Sequence, residues 1–435
     1  MTELRTIRTA AETALAEAFE AARAVLPGDP EVRARAFDAV AQGLPHRRVE
    51  EWKYTDLRAL MREARPLAQV PGEKDIAALR AAGLPLGDVD ALRLVVLNGT
   101  LVPELSDLDR LPAGVELVPL ANALATAHPL LKRLGEAGAP GDNAAIALNT
   151  AFVSDGALVH VSEGVKLDRP LHVVFAQAGA GHAAYGRVLV VADKGAAFDL
   201  IESHAGEGAH QTNSYVEILA GDDTAIRHTK LQTESLSALH LGTLAVTLGA
   251  RAKFDSLAVA RGSAVARQQV FLTFAGEGIE ANLRGVSLVG GKRHLDTTLL
   301  VDHVKPGGIS REQFKAALEG EGRSVFQGKI IVRQAAQKTD GRMMTKALML
   351  SDSAEADLKP ELEIYADDVQ CAHGATCGAL DEEQVFYLMA RGLPRAEAEA
   401  ILVAAFVEDV FDTVEDDALR EALTAVAEEW LAARN

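Results

Sequence analysis

The sequence predicts a mainly β protein in which a long β core lies between two helical regions. Three observations predict it. From about Ala144 to Cys371 the chain reads as short extended runs separated by turns rich in Gly, Asp and Asn, with almost no helical stretch between them. Leu171-His172-Val173-Val174-Phe175, Arg187 to Val191, Ser214 to Leu219, Leu244 to Leu248 and Gln269 to Phe274 are examples, rich in β-branched and aromatic residues. Before and after this region the apolar residues recur instead at helical spacing. Regularly spaced short strands suit a sandwich, a barrel or a β-solenoid. Uneven spacing without a duplicated half favours a parallel β-helix, whose stacked coils tolerate turns of variable length.

Three regions follow: residues 1–145, mostly helical; 146–377, the β core; and 378–435, helical again. Ile7, Ala11, Leu15, Ala18, Phe19, Ala22 and Leu26 mark a first amphipathic helix. Val32, Phe37 and Val40 mark a second from Pro30 to Gln42, stopped by Gly43 and Pro45. Residues 66–140 are broken by Pro and Gly, with a strand expected at Leu92 to Leu97. Ile309 to Gly320 reads as helix by propensity, but its place among strands predicts that the solenoid overrides it. After Gly378, Asp381 caps a helix with Gln384 at the reciprocal position, and Gly392 with Pro394 ends it. Pro394 opens the next helix, with Ala398, Ile401, Leu402, Ala405 and Phe406 as its apolar stripe. Leu419, Leu423, Val426 and Trp430 mark a last one. The apolar face of Ile401, Leu402 and Phe406 exceeds what a short helical pair can bury, which points to a docking surface between about Asp381 and Phe411.

Composition excludes several classes. A net charge of −18 argues against a phosphate-binding surface, so no nucleic-acid partner is expected. Two cysteines in 435 residues exclude a disulfide framework. Met1 to Leu26 lacks an apolar signal core, and no apolar run is long enough to cross a bilayer; a cytoplasmic protein without a membrane partner is the expectation. Neither a P-loop nor H-E-x-x-H nor G-x-S-x-G occurs. Gly179-Ala180-Gly181-His182-Ala183-Ala184 fits G-x-G-x-x-A, but a strand rather than a helix follows, so it is read as a turn.

The chemistry gathers in one run, Lys359 to Gly378, which holds both cysteines and His373 between them. On a strand Cys371 and His373 share one face, a soft-ligand pair for iron, copper or zinc. Two donors are too few to hold a metal alone. The residues leave two readings open for Cys371: a small buried hydrophobe, or a thiol activated or ligating beside Asp367 and Asp368. A Cys371–Cys377 disulfide is disfavoured in a reducing compartment. His160, His172, His204, His210, His228, His240, His294 and His303 are scattered, and nothing in the sequence pairs them. Trp52 and Tyr54 are read as anchors.

The Lys359 to Gly378 run, continued to Gly392, resembles the SufB/SufD family of iron–sulfur cluster assembly proteins, and His373-Gly374-Ala375-Thr376 has the form of its SufD branch. Glu50-Glu51-Trp52-Lys53-Tyr54-Thr55, Gly322 to Ile330 and Ala336 to Asp340 match as well, so the resemblance runs from about Trp52 to about Phe411. It implies a right-handed parallel β-helix and a scaffold subunit that is not an enzyme. It also implies a SufC-type ABC ATPase docked on the C-terminal helices, and a SufB-type paralogue paired through the solenoid end. A homodimer is a further option. Phe386, Tyr387, Arg391, Ile401, Leu402 and Phe406 would carry the ATPase contact. Cys371 and His373 would lie at the interface where a nascent cluster is built, as candidate metal ligands. No cofactor would stay on the isolated chain; iron or a cluster would be held transiently in the complex. Cys377 departs from the family, which has an apolar residue there. The competing readings are a β-helix polysaccharide lyase or hydrolase, disfavoured without an export signal, and the SufB paralogue itself, disfavoured by the few cysteines.

Overall fold

A computed structural model describes residues 8–433, so Ile7 of the first apolar stripe lies outside the described residues. From Asp155–Val161 to Gln370–Gly378 the strands alternate between two parallel sheets, each pairing with the next strand but one. Leu239 pairs with Val265, Val265 with His294, His294 with Arg323 and Arg323 with Glu355, so successive coils take 26, 29, 29 and 32 residues. This is a parallel β-solenoid of about eight turns. Variable turns absorb the differences in length, which explains the uneven spacing of the strands.

Parallel stacking in register puts like on like. Val188, Val216, Leu244, Val270 and Leu299 form one buried column, and Phe198, Ile226, Phe254 and Ala281 face them from the other sheet. Burying each such side chain contributes on the order of 1.5–3 kcal/mol. Ile309–Leu318 is a strand, as expected against its propensity.

The helices Ala10–Ala22 and Pro30–Ala41 form where the periodicity placed them, capped by Thr9 and Asp29. Their Phe19 and Phe37 stack at 4.3 Å and meet Phe152 edge-on. Phe152 ends a helix, Ala144–Phe152, where extended runs were expected. Packed between the Pro30–Ala41 helix and the solenoid, it has no fully exposed residue, only Ile146 and Thr150 being partly open, and therefore shows little amphipathic period.

The N-terminal end of the solenoid is closed. Leu92–Leu97 extends one sheet in parallel with Leu171–Gln177, and Thr100–Leu101 folds back on it antiparallel. Val115–Pro119 closes the other sheet antiparallel to Asp155–Val161. At Gly156, with φ of 147°, any side chain would collide with the Arg187 carbonyl. The Glu50 to Thr55 segment clamps the N-terminal region to the coils. Trp52 is buried, with the Arg267 guanidinium over its ring at 4.0 Å. Arg267 also donates to the Glu51 carbonyl at 2.6 Å and pairs with buried Asp296, which accepts from Thr55.

Three C-terminal helices follow, Glu382–Met389, Arg395–Glu408 and Asp417–Ala432. Val403, Val407, Phe411, Leu419, Leu423 and Trp430 pack on the outer face of one sheet, against residues such as Leu257, Val286 and Leu288. The apolar stripe of the middle helix, expected as a face left for docking, is only partly exposed. Ala398, Val403 and Val407 are its buried residues, while Ile401 and Ala405 are exposed and Leu402 and Phe406 half-buried. The helix docks on the solenoid as well as on its neighbour, and that sets its buried face. Among the described residues no helix is long and apolar enough to cross a membrane.

Candidate functional site

The two strands at the C-terminal end, Glu355–Ile364 and Gln370–Gly378, are each the last of their sheet. Unlike the N-terminal end, this end has no antiparallel strand folded over it among the described residues. Two edges of ten and nine residues therefore present unpaired backbone groups side by side.

Cys371 and His373 stand on the Gln370–Gly378 edge strand, two residues apart on one face, as the period of two required. Cys371 is half-buried against the last of the core and stacks on Gly341; His373 is exposed and stacks on Met343. Burial first, then the charges of Asp340 and Glu312, push the Cys371 thiol above its ordinary value. It is thus held as the thiol rather than activated in the isolated chain. Asp368 does not serve it, being paired with Lys338. Cys377 is exposed on the same strand, and six residues of extended chain separate its Cα from that of Cys371 by roughly 20 Å, far beyond disulfide reach. Among the described residues no third histidine, cysteine or carboxylate joins Cys371 and His373 in a metal-holding group. A metal there would need donors from outside this chain.

Beneath His373 in the same column lie Met343 and then Glu312. Glu312 is 2 % exposed, neither of its carboxyl oxygens has a hydrogen-bond partner, and burial pushes the group up to about 8. Sequence reading missed it, because a strand expected from Ile309 to Gly320 does not by itself say which of its two faces is buried. Its inward position follows only from the strand register.

The expected docking residues divide. Phe386 is 72 %, Tyr387 56 % and Ile401 47 % exposed, and the Arg391 guanidinium lies 3.4 Å from the centre of the Tyr387 ring. Leu402 and Phe406 are half-buried, and the Lys315 ammonium sits over the Phe406 ring at 4.9 Å while donating to the Phe406 carbonyl. Phe406 therefore belongs partly to the packing of its own helix on the solenoid. The Gly179 to Ala184 segment is a turn, with Gly179 and Gly181 at φ of 84° and the strand Ala183–Ala192 after it.

Comparison with known proteins agrees with this geometry. The family model for the SufBD core domain of SUF-system iron–sulfur cluster assembly matches residues 174–406, and that for the SufBD N-terminal region matches residues 18–173. The Escherichia coli iron–sulfur cluster assembly protein SufD is 30 % identical over 403 residues, 91 % of each chain. A SufBD family protein of Synechocystis is 30 % identical over 388 residues, 85 % of this chain and 84 % of its own. The chloroplastic protein ABCI7 of Arabidopsis thaliana is 28 % identical over 287 residues, 63 % of this chain and 60 % of its own. A solenoid closed at one end and open at the other thus carries the sequence of a known group, and the chain belongs to the SufBD family of SUF-system iron–sulfur cluster assembly proteins, in a SufD-like form.

Proposed function

We propose that this chain is a non-catalytic, cytoplasmic scaffold subunit of an iron–sulfur cluster assembly complex. Its open solenoid end pairs with a SufB-type paralogue, and its C-terminal helices receive a SufC-type ATPase. The observation that carries the reading is the pair of uncovered edge strands with Cys371 and His373 on one of them. Uncovered sheet edges are templates for pairing, and another sheet edge is the partner that satisfies them. A thiol held protonated and an exposed imidazole suit a site completed by a partner's donors, where a bound cation would draw the proton off Cys371. Iron or a nascent cluster would be held there transiently as cargo. Cys371→Ser or His373→Ala is expected to leave the fold intact and to reduce cluster assembly by the reconstituted complex. Undiminished assembly by both variants would reduce the pair to packing.

No P-loop occurs in the chain, so chemical energy enters through the ATPase. Phe386, Tyr387 and Ile401 offer the exposed apolar face that such a contact needs. Phe386→Asp with Ile401→Asp is expected to abolish co-purification of the ATPase without lowering the melting temperature. Phe406→Asp would confuse the two effects, because Phe406 also packs on the solenoid. Undiminished ATPase binding by the folded double variant would refute the docking claim.

A further inference from the structure

Deep in the solenoid, four histidines and two carboxylates occupy inward positions that a β-helix normally fills with apolar side chains. His204, His210, His228, His240, Glu202 and Glu234 are each buried to at least 98 %. Parallel register assembles them: Glu202 stacks on Lys230, His204 on Gln232, and Thr212 on His240. Glu202 is fully satisfied, since Lys230 donates to it at 2.8 Å and His204 Nε2 lies 2.6 Å away.

Glu234 differs. Its two ion pairs are both to histidines, His210 at 3.2 Å and His240 at 2.7 Å, and neither partner carries a fixed positive charge. A buried carboxylate without a compensating cation costs several kcal/mol. His240 lies against Glu234 without the alignment of a hydrogen bond, so that neither of its ring nitrogens has a hydrogen-bond partner. His204 Nδ1 is also without one. Unsatisfied polar atoms in so dry a place call for an explanation. The ligand atoms of His204, Glu234 and His240 all lie within 4.8 Å of one another.

We propose that His204, Glu234 and His240 bind a first-row divalent cation inside the solenoid. Two imidazoles and one carboxylate are the donor set of borderline cations such as Fe(II), Co(II) and Zn(II). The Glu202 carboxylate on His204 Nε2 is the outer partner that fixes a ligating imidazole and leaves its other nitrogen free. Thr212 and Gln232 hold the Glu234 carboxylate in the same way. A cavity of about 30 Å³ lined by His240, Lys230, Gln232 and Gln268 adjoins the site, room for one or two waters to complete the coordination. Gly242 keeps that space open, since a Cβ there would lie 2.6 Å from His240 Nε2.

Six strand spacings separate the His204 strand from the Cys371 strand, roughly 29 Å, so this site is distinct from the open end. It also departs from the expectation of a chain that holds no ion of its own. That the physiological cation is Fe(II) rests on the assembly function proposed above; the site itself rests only on the donors.

The test uses the full chain, stripped with chelator and then loaded with Co(II), both by titration of the native protein and by refolding in its presence. The expected result is one equivalent of Co(II) with ligand-field bands. Glu234→Gln and His240→Asn should weaken binding at least tenfold, and Cys371→Ser with His373→Ala should leave it unchanged. X-ray absorption of the Zn(II)-loaded wild type should show nitrogen and oxygen neighbours only, a readout that requires no variant to fold. No stoichiometric binding by either route, a sulfur neighbour near about 2.3 Å, or loss of binding in the Cys371/His373 variant would overturn the site. Failure of the assembly reading would leave each of these results untouched.

Discussion

Replacing Arg267 by Leu is expected to destabilise the protein by about 3–5 kcal/mol, the range for removing one member of a buried ion pair. Arg267 and Asp296 are both fully buried, so the substitution strands the Asp296 carboxylate with only hydroxyl and imidazole neighbours. It also removes the cation from the Trp52 ring and the closer of two donors to the Glu51 carbonyl, leaving Gln327. The N-terminal region should then become protease-sensitive before the solenoid does, because this contact clamps one to the other. Adding Asp296→Leu should recover much of the loss, since apolar replacement of a whole buried pair is often neutral. Denaturant melts followed by tryptophan fluorescence, with a double-mutant cycle, check this. Additive losses would show that the two side chains are not coupled.

Glu312→Gln is expected to stabilise the protein at pH 8 and to do so much less at pH 5. With the carboxyl pushed up to about 8 by burial, the folded state holds a proton that the unfolded state releases near its ordinary value of 4.5. Between these values the unfolded state binds fewer protons, so this group's contribution to stability falls as pH rises and levels off above about 8. Each unit of difference corresponds to about 1.36 kcal/mol. The full effect is on the order of a few kcal/mol after some relaxation. Comparing wild type and variant in urea at both pH values isolates the group from other titrations. A difference that does not change with pH would contradict a buried neutral Glu312.

The legible and illegible parts of the molecule divide along the range of the signals. Strands such as Leu171–Gln177 and Leu239–Leu248 could be read because alternation and β-branching are local properties of a few residues. Helix Ala144–Phe152 could not, because burial of nearly all its residues weakens the periodicity that marks a helix. The middle C-terminal helix was recognised, with Ile401, Leu402 and Phe406 as a face left for docking, but the burial of Val403 and Val407 and the partial packing of Phe406 were not, since their partner, the outer face of the solenoid, is not adjacent in sequence. Cys371 and His373 were visible as a pair from a period of two alone. Glu312 and the histidines around Glu234 were not, because only the stacking of one coil on the next brings His204 over Gln232 or Glu312 under Met343. In a solenoid the site is written in the register, and register depends on coil lengths that vary from 26 to 32 residues.

In the proposed function the open end, rather than any other surface, pairs with a SufB-type paralogue. Amide hydrogen exchange of the chain alone and mixed with the SufB-type partner tests it most directly. Amides of 355–364 and 370–378 are expected to become protected on mixing, while the closed end around 92–101 and 115–119 exchanges as before. Unchanged exchange in both terminal strands, with protection appearing at the closed end, would contradict it.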